Sequence, residues 1–420
     1  MDSLILRGGR PLEGEIPISG SKNATLPLLA ATLLAPGFYR FTNVPRLKDV
    51  RTMSNLLRIL GAKIDESGHE LLIDTSHASH IEAPYDLVKT MRASFYVLGS
   101  LLGRHGEARV SLPGGCAWGP RPVDLHLKGM EALGAKIELD QGYVVASAYP
   151  LRGATFEFGI SSVGASANVL MAAVRAEGVT TLKNIALEPE VTSLALFLNR
   201  MGARISGIGS RELKIEGVAH LQPADAEMSP DRIETGSYIC AVGMTTGNVK
   251  LTNADPMQLS AAIEKAKQAG LEIEVGSDWI RVERSNGKLK PIDVTTDVYP
   301  GFPTDLQAPF MAMATLADGV SHITDTIYTD RFTHVAELAR LGAQIHMDGN
   351  IATITGIPKL KGAPVMSTDL RASVCLVLAG LAAEGETEVK RVYHLDRGYE
   401  KIEEKLLRVG ADIRRAEGDL

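Results

Sequence analysis

Six stretches of the chain are apolar at almost every position, and each is long enough to form a helix. A helix that has no polar face must be buried on all sides. Each stretch opens with a polar head of residues such as Ser, Thr, Asp or Asn, which favour the N-cap position. The pattern therefore predicts six buried helices, at Lys22–Ala35, Thr90–Gly103, Ser162–Ala176, Glu234–Thr246, Thr304–Ala317 and Thr368–Ala383.

A second pattern alternates with the first. An amphipathic segment ends at a glycine and a short β-prone run follows, as in Asp49–Leu60, Gly61 and Leu71–Ile73. A glycine in this place is typical of the residue that ends a helix in a left-handed conformation. It recurs at intervals of 68 to 73 residues, at Gly61, Gly134, Gly202, Gly270, Gly342 and Gly410. Six copies of one unit therefore account for the chain.

The repeat predicts an α/β fold with apolar helices inside and short strands outside. Three copies lie on each side of the polar, proline-containing stretch His220–Asp231, which indicates two similar domains. We expect the first domain at residues 22–229 and the second at residues 1–21 plus 230–420, with the active site in a cleft between them. Ser3–Gly8 lies outside the six copies and is predicted to be a strand of the second domain.

Composition narrows the classes of function. The 420 residues are 45% hydrophobic and 22% charged, as in ordinary globular proteins. The formal net charge of −6 argues against a general nucleic-acid binder. We find no apolar run of the roughly 18 residues that a membrane span needs, and the apolar run at the N-terminus is too short for a signal peptide. Three widely spaced cysteines make no disulfide scaffold, so we expect a cytoplasmic location.

The stretch Leu112–Asp124, LPGGCAWGPRPVD, is too rich in glycine and proline for a helix or a central strand. Loops of this length are often lids over a site. Cys116 lies five residues from Arg121, and a nearby guanidinium favours ionisation of a thiol. The loop is therefore a candidate reactive site, with an incidental surface cysteine as the alternative.

Several of the polar helix heads also carry a cation, at Lys22, Arg92 and Arg371. A positive charge is mildly unfavourable at the positive end of a helix dipole, so capping does not explain it. Free backbone N–H groups at a helix N-terminus attract anions. We interpret these heads as anion-binding sites.

Seven ordered motifs resemble those of the enolpyruvyl transferases, over essentially the whole chain. They are SGSKNA (Ser19–Ala24), GGCAWGPRPVDLH (Gly114–His126), SVGA (Ser162–Ala165), DRIETG (Asp231–Gly236), YPGFPTDLQAP (Tyr299–Pro309), DLRAS (Asp369–Ser373) and HLDRGYE (His394–Glu400). The resemblance implies two inside-out α/β domains, each of three βαβαββ units. It also implies transfer of the enolpyruvyl group of phosphoenolpyruvate to the 3′-hydroxyl of UDP-N-acetylglucosamine, with release of phosphate, as the first committed step of peptidoglycan precursor synthesis.

The resemblance also assigns catalytic roles, by addition followed by elimination. Cys116 matches the acid that protonates C3 of phosphoenolpyruvate, and the resemblance implies that fosfomycin would alkylate it. Asp305 matches the base that takes the proton of the 3′-hydroxyl, and Asp369 is the alternative. Cations that grip phosphoenolpyruvate are matched by Lys22, Arg121 and Arg397. Arg331 and Arg371 match cations that bind its carboxylate and help to close the cleft. Simple capping remains open for Asp305, Asp369 and Asn23.

The substrate-binding residues follow from the same match, with Asn23 orienting the substrate. The nucleotide-sugar site is expected at Arg92, Arg121, Pro122, Val123, Asp124, Leu125, Ser162, Val163, Gly164 and Ile327. Some family members have a lysine just before SVGA, where this chain has Gly159, Ile160 and Ser161, so we assign no basic role there. No His or Cys spacing is typical of a metal site, and we expect neither a metal nor a cofactor.

Two alternatives differ from this reading. An enolpyruvyl transferase that acts on shikimate 3-phosphate shares the architecture, but that family lacks the cysteine loop seen here. A non-catalytic protein that binds sugar nucleotides would have lost the acid or the base, whereas Cys116, Asp305 and Lys22 are all present. The expected partners are the two small-molecule substrates, without nucleic acid or membrane, and the oligomeric state stays open.

Overall fold

The structure is a computed structural model that describes residues 2–113, 123–285 and 287–417. The chain divides into two compact units, Gly20–Ser229, and Met1–Ser19 with Pro230–Leu420. Each unit has its own hydrophobic core. Among the described residues, no helix combines the length and the apolar character needed to cross a membrane.

Helices and strands alternate along the described chain. The α-helices are α1 (Lys22–Ala31), α2 (Lys48–Ile59), α3 (Tyr85–Val88), α4 (Val97–His105), α5 (Asp124–Ala132), α6 (Val163–Ala173), α7 (Pro189–Arg200), α8 (Arg232–Thr245), α9 (Ser260–Gln268), α10 (Gln307–Ala314), α11 (His334–Arg340), α12 (Leu370–Ala382) and α13 (Ile402–Arg408). Short 3-10 helices lie at Thr32–Leu34, Arg92–Tyr96, Pro256–Leu259, Thr304–Leu306 and Val392–Arg397. The strands are β1 (Ser3–Arg7), β2 (Leu12–Pro17), β3 (Phe38–Thr42), β4 (Lys63–Ser67), β5 (Glu70–Asp74), β6 (Glu82–Ala83), β7 (Glu107–Ser111), β8 (Lys136–Asp140), β9 (Tyr143–Ser147), β10 (Thr155–Glu157), β11 (Val179–Lys183), β12 (Arg204–Ser206), β13 (Glu212–Glu216), β14 (Ala226–Glu227), β15 (Gly247–Thr252), β16 (Glu272–Val275), β17 (Trp279–Arg284), β18 (Asp293–Thr295), β19 (Val320–Thr324), β20 (Gln344–Asp348), β21 (Ile351–Thr355), β22 (Pro364–Met366), β23 (Glu386–Lys390) and β24 (Asp412–Ala416).

The strands form six four-stranded sheets with one shared topology. In each sheet one outer pair of strands is parallel and the two other pairings are antiparallel. The unit Gly20–Ser229 contains the sheets β14-β3-β5-β4, β6-β7-β9-β8 and β10-β11-β13-β12. The other unit contains the sheets β2-β15-β17-β16, β18-β19-β21-β20 and β22-β23-β1-β24.

Each of the six predicted apolar stretches contains a buried helix. In one unit α1, α4 and α6 pack against one another, and in the other unit α8, α10 and α12 do the same. Every residue of α8 is buried, which explains why its sequence shows no polar face. The predicted α/β class, with apolar helices packed inside three small sheets, is confirmed.

The six repeat glycines end their helices as predicted. Their φ angles lie between 89° and 101°, in the left-handed region where a side chain would be strained. Each follows directly on the residue that caps α2, α5, α7, α9, α11 or α13, and a strand begins two residues later. The same local device therefore turns a helix into a strand in every repeat.

The N-terminal segment belongs to the unit that holds the C-terminal half. β1 lies between β23 and β24 and is antiparallel to both, with Leu4 opposite Val389 and Leu6 opposite Ile413. The prediction of a strand at Ser3–Gly8 is confirmed. β2 pairs in parallel with β15, while β14 pairs in parallel with β3 in the other unit.

Candidate active site

The head of α1 presents Lys22. Ser21 caps the helix, because its Oγ accepts a hydrogen bond from the Ala24 amide at 3.3 Å. The Lys22 Nζ lies 3.2 Å from Asp49 Oδ2, and the two side chains are only 12% and 5% exposed. An ammonium carries three N–H donors, so pairing with Asp49 leaves capacity for a bound anion. Asn23 follows at the same helix head and is half-buried.

The head of α6 carries the SVGA motif. Ser162 is the N-cap, and its Oγ accepts from the Ala165 amide at 3.4 Å. Ser162, Val163 and Gly164 are half-exposed, whereas the rest of the helix from Ala165 is buried. The first amides of a helix have no partner within the helix, so this end is suited to an anion.

A buried histidine faces this helix head from α5. The His126 Nδ1 lies 3.0 Å from Asn168 Nδ2, and a Cβ on Gly164 would meet its ring at 3.3 Å. Burial, with a smaller contribution from Arg92, lowers the pKa of His126 to about 3. The imidazole is therefore neutral at neutral pH. Arg92 itself is half-buried and opens the 3-10 helix that runs into α4.

The last residues of the glycine- and proline-rich stretch lead into α5, with Val123 at the N-cap. Val123 and Leu125 pack against the core of their unit. Asp124 begins α5, where its carboxylate lies 3.4 Å from Lys128 Nζ on the exposed face. Cys116, Arg121 and Pro122 lie outside the described residues, and their roles stay predictions.

The other unit holds the candidate base. Asp305 lies in the 3-10 turn ahead of α10, and its carboxylate pairs with two arginines. Oδ1 is 2.7 Å from Arg331 and Oδ2 is 2.7 Å from Arg371. The arginine side chains are 8% and 6% exposed, and that of Asp305 is 25% exposed. The alternative that Asp305 is a simple N-cap is wrong, because no side chain caps this turn or α10.

The two guanidiniums control the protonation of Asp305. Burial raises the pKa of its carboxyl, but the charges of Arg371 and Arg331 outweigh burial and hold the pKa well below its usual range. Burial lowers the pKa of Arg371, and the Asp305 charge more than compensates. The Asp305 carboxyl is therefore held in its ionised form, and it is a weak base while both arginines bind it.

Asp369 serves as the N-cap of α12. Its Oδ1 accepts from the amides of Arg371 at 2.7 Å and Ala372 at 3.1 Å. Its Oδ2 lies 3.1 Å from the Thr333 hydroxyl and 3.2 Å from the Thr368 hydroxyl. Capping, which the sequence left open, accounts for the position of this carboxylate.

Residues of the HLDRGYE motif lie beside Arg371. The Arg371 Nη1 donates to the Tyr399 hydroxyl at 3.3 Å, and that hydroxyl is 2.7 Å from Ser237 Oγ. Arg397 is half-buried at the end of the 3-10 helix Val392–Arg397. Sequence reasoning assigned no role to Tyr399, although it stands inside a quoted motif.

The remaining predicted residue is Ile327, which is 36% exposed in the loop after β19. Its amide donates to Asp325 Oδ1 at 3.0 Å. Asp325 was missed, because a single aspartate in a loop reads as an ordinary turn residue. Among the described residues, no group of three or more His, Cys, Asp or Glu side chains is placed to hold a metal ion.

Six copies of one helix–sheet repeat define an α/β protein in which several helix heads carry charged side chains, among them Lys22, Asp305 and Arg371. The family model of EPSP synthase (3-phosphoshikimate 1-carboxyvinyltransferase) matches residues 6–406. The chain therefore belongs to the enolpyruvyl transferase family.

Two curated relatives match almost end to end. The UDP-N-acetylglucosamine 1-carboxyvinyltransferase of Chloroherpeton thalassium is 54% identical over 418 residues, 99% of this chain and 97% of the relative. The protein of the same name from Desulfosudis oleivorans is 53% identical over 415 residues, 99% of each chain. The family resemblance drawn from the motifs is confirmed.

Solved structures share the fold. The enolpyruvyl transferase NikO from Streptomyces tendae has a TM-score of 0.91 and 27% identity, and the match covers 100% of this chain and 99% of that one. EPSP synthase from Acinetobacter baumannii has a TM-score of 0.75 at 17% identity, over 99% of this chain and 100% of that one. The second likeness concerns the fold alone.

Proposed function

We propose that this protein transfers the enolpyruvyl group of phosphoenolpyruvate to the 3′-hydroxyl of UDP-N-acetylglucosamine and releases phosphate. The observation that carries the proposal is the pairing of the Asp305 carboxylate with the guanidiniums of Arg331 and Arg371. Such a cluster offers a base together with cations for a substrate that bears a carboxylate and a phosphate. The names of relatives that share more than half of the sequence support the same reaction.

The proposed base is Asp305 rather than Asp369. Both oxygens of Asp369 are occupied by the cap and by two threonine hydroxyls. Among the described residues, the carboxylate of Asp305 pairs with the guanidiniums of Arg331 and Arg371, for which an anionic substrate competes. When phosphoenolpyruvate draws Arg331 or Arg371 toward its own charges, the pKa of Asp305 rises and the carboxylate becomes a better acceptor for the hydroxyl proton. Binding of phosphoenolpyruvate thereby makes Asp305 a stronger base for the sugar hydroxyl.

The proposed acid is Cys116, which protonates C3 while the sugar hydroxyl attacks C2. In the elimination step C3 loses a proton and the bond between C2 and the phosphate oxygen breaks. Phosphate leaves and the double bond between C2 and C3 is restored. Lys22, Arg121 and Arg397 are assigned to phosphoenolpyruvate, and Asn23 to orientation of the substrate. The proposed roles fall on residues of both units. No metal or cofactor takes part in this scheme.

The nucleotide-sugar contacts are proposed to centre on the head of α6. The amides of Val163 and Gly164 are assigned to the diphosphate, with Ser162 beside them. Arg92, the run 121–125 and Ile327 complete the proposed set. We propose further that the reaction takes place in the cytoplasm and supplies the synthesis of peptidoglycan.

The test is release of phosphate from phosphoenolpyruvate with either UDP-N-acetylglucosamine or shikimate 3-phosphate as acceptor. We expect phosphate release when UDP-N-acetylglucosamine is the acceptor and none when shikimate 3-phosphate is. The rate of release should fall sharply in Cys116→Ser. Cys240→Ala is the matched control, since Cys240 is fully buried and burial raises the pKa of its thiol well above the ordinary value. Release with shikimate 3-phosphate would support the alternative acceptor, and release with neither would favour a non-catalytic protein.

A further inference from the structure

A fully buried carboxylate lies close to the candidate base and has no role in the reaction as proposed so far. Asp325 follows β19 directly and is 0% exposed. Within the described part of the chain, no cation forms an ion pair with it. Burial of a charge without a counter-ion is costly unless hydrogen bonds replace the lost water. The hydrogen bonds of Asp325 must therefore replace the water that the buried carboxylate has lost.

Four donors surround the carboxylate. Oδ1 accepts from the Thr296 hydroxyl at 2.9 Å and from the amides of Ile327 at 3.0 Å and Tyr328 at 2.8 Å. Oδ2 accepts from the Thr304 hydroxyl at 2.7 Å. Together these four hydrogen bonds fix the orientation of the carboxylate.

The backbone of Asp325 is fixed as well. Its amide donates to the Asn350 carbonyl at 3.0 Å, and the Asn350 side-chain amide donates to the Asp325 carbonyl at 2.9 Å. Asn350 lies in the turn between β20 and β21. The carboxylate is therefore anchored to the sheet and cannot shift without breaking it.

The direction of the hydrogen bonds at Thr304 is unambiguous. A carboxylate only accepts and a guanidinium only donates, while a hydroxyl has one hydrogen. Thr304 must give that hydrogen to Asp325, so its lone pairs accept from Arg331 Nη1 at 3.1 Å. Arg331 in turn binds Asp305 at 2.7 Å. A continuous chain of hydrogen bonds thus links Asp325, through Thr304 and Arg331, to the candidate base.

A second branch leads from Asp325 to the loop that carries Ile327. The two amides that it binds hold Ile327 and Tyr328 in place. The ring of Tyr328 lies 5.6 Å from the guanidinium carbon of Arg331, within the range of a cation–π contact. One carboxylate therefore fixes both the cation beside the base and the loop assigned to the nucleotide sugar.

We propose that Asp325 is a positioning residue that couples the Ile327 loop to the Arg331–Asp305 pair through Thr304. This inference rests on the proposed function. It assigns Asp325 no contact with substrate. Its direct route to the base is the Thr304 hydroxyl, and the Tyr328 ring gives a weaker second contact with Arg331. Its route to the nucleotide sugar is the pair of amides of Ile327 and Tyr328.

Asp325→Asn keeps the shape and inverts one hydrogen bond. The amide nitrogen would donate to Thr304, whose hydrogen would then lose its acceptor. Thr304→Val removes the hydroxyl with little change of volume, and Thr304→Ser keeps it. Thr315→Val is the matched control. Thr315 is a buried threonine at the C-cap of α10, the helix that follows Thr304–Leu306, and its hydroxyl donates to the Ala312 carbonyl.

The experiment measures kcat, the KM for UDP-N-acetylglucosamine and the thermal midpoint for these variants and for the double variant. We expect kcat to fall on the order of tenfold to a hundredfold in Asp325→Asn and in Thr304→Val, as a displaced catalytic group does. The double variant should be no slower than the slower single variant, because both interrupt one chain. The KM should rise in Asp325→Asn alone, and Thr304→Ser should recover kcat.

Additive losses in the double variant would overturn the proposal, as would an equal loss of kcat in Thr315→Val. A lowered thermal midpoint with unchanged kcat and KM would show a purely structural role. A wild-type protein that neither binds UDP-N-acetylglucosamine in calorimetry nor turns it over would instead refute the proposed function. The two failures are therefore distinguishable.

Discussion

Asp305 holds two guanidiniums that are almost excluded from water, and Asp305→Asn tests what the carboxylate contributes to stability. The arginine side chains are 8% and 6% exposed. Without the carboxylate, Arg331 and Arg371 would be two like charges close together with little water to screen them. The unfolding free energy should therefore fall in the unit that contains them.

The magnitude follows from the burial of the three side chains. Breaking a buried ion pair costs about 3–5 kcal/mol, because the remaining charge stays desolvated. Asp305 is 25% exposed and asparagine keeps one acceptor, so we expect a loss of about 2–4 kcal/mol. Asp318→Asn is the matched control, since its pair with Lys288 has side chains 64% and 78% exposed. Exposed pairs of this kind contribute about 0–1 kcal/mol.

The assay is urea unfolding at neutral pH in a buffer without phosphate, followed by the same measurement with added phosphate. Phosphate should restore more stability to Asp305→Asn than to the wild type, because it can replace the carboxylate charge beside the two guanidiniums. A loss no larger than that of Asp318→Asn, or equal effects of phosphate on both proteins, would refute the reasoning.

The difference in unfolding free energy between the wild type and Asp305→Asn should depend on pH. Burial raises the pKa of Asp305, but its two arginines outweigh burial and hold it well below the usual range. A depressed carboxyl pKa stabilises the fold above the unfolded value of about 3.9, and this contribution is lost as the pH falls further toward the folded value. The gap between wild type and Asp305→Asn should therefore be constant from roughly pH 5 to 8 and shrink below about pH 4.

Three further predictions concern other parts of the molecule. Asp49→Asn should raise the KM for phosphoenolpyruvate more than it lowers kcat in steady-state kinetics, because Lys22 loses the carboxylate 3.2 Å away that orients it. Gly202→Ala should lower the unfolding free energy by about 1 kcal/mol in urea titrations, because φ is 99° there and no neighbouring atom blocks the methyl group. Cys240 and Cys375 should stay unmodified by thiol reagents under native conditions in mass spectrometry, because burial raises both pKa values well above the ordinary value.

The repeat could be predicted from the sequence because its signals are local. A helix apolar on every face and a glycine after a helix each depend on a few neighbouring residues, and both predictions are confirmed by α8 and by Gly202. Helix starts were less accurate. The stretches predicted from Thr90 and Thr304 contain 3-10 helices at Arg92–Tyr96 and Thr304–Leu306, ahead of α4 and α10.

The charge cluster could not be worked out from spacing. Arg371 is 66 positions from Asp305 along the chain, and only the fold brings them together. The motif resemblance named these residues, but the structure was needed to exclude capping for Asp305 and to recognise the cap at Asp369. The role of Asp325 was not predicted, because its partners Thr296 and Asn350 lie at the ends of other strands, far from it in the sequence. The two-residue strands β6 and β14 are too short to leave a pattern.

The central claim is that this protein moves an enolpyruvyl group to a nucleotide sugar. The most direct test is to incubate it with phosphoenolpyruvate and equal amounts of UDP-N-acetylglucosamine and shikimate 3-phosphate, and to identify by mass spectrometry which acceptor gains the group. The account predicts one enolpyruvyl group on UDP-N-acetylglucosamine for each phosphate released, with shikimate 3-phosphate recovered unchanged. Product on shikimate 3-phosphate, or phosphate released without product on the nucleotide sugar, would contradict it.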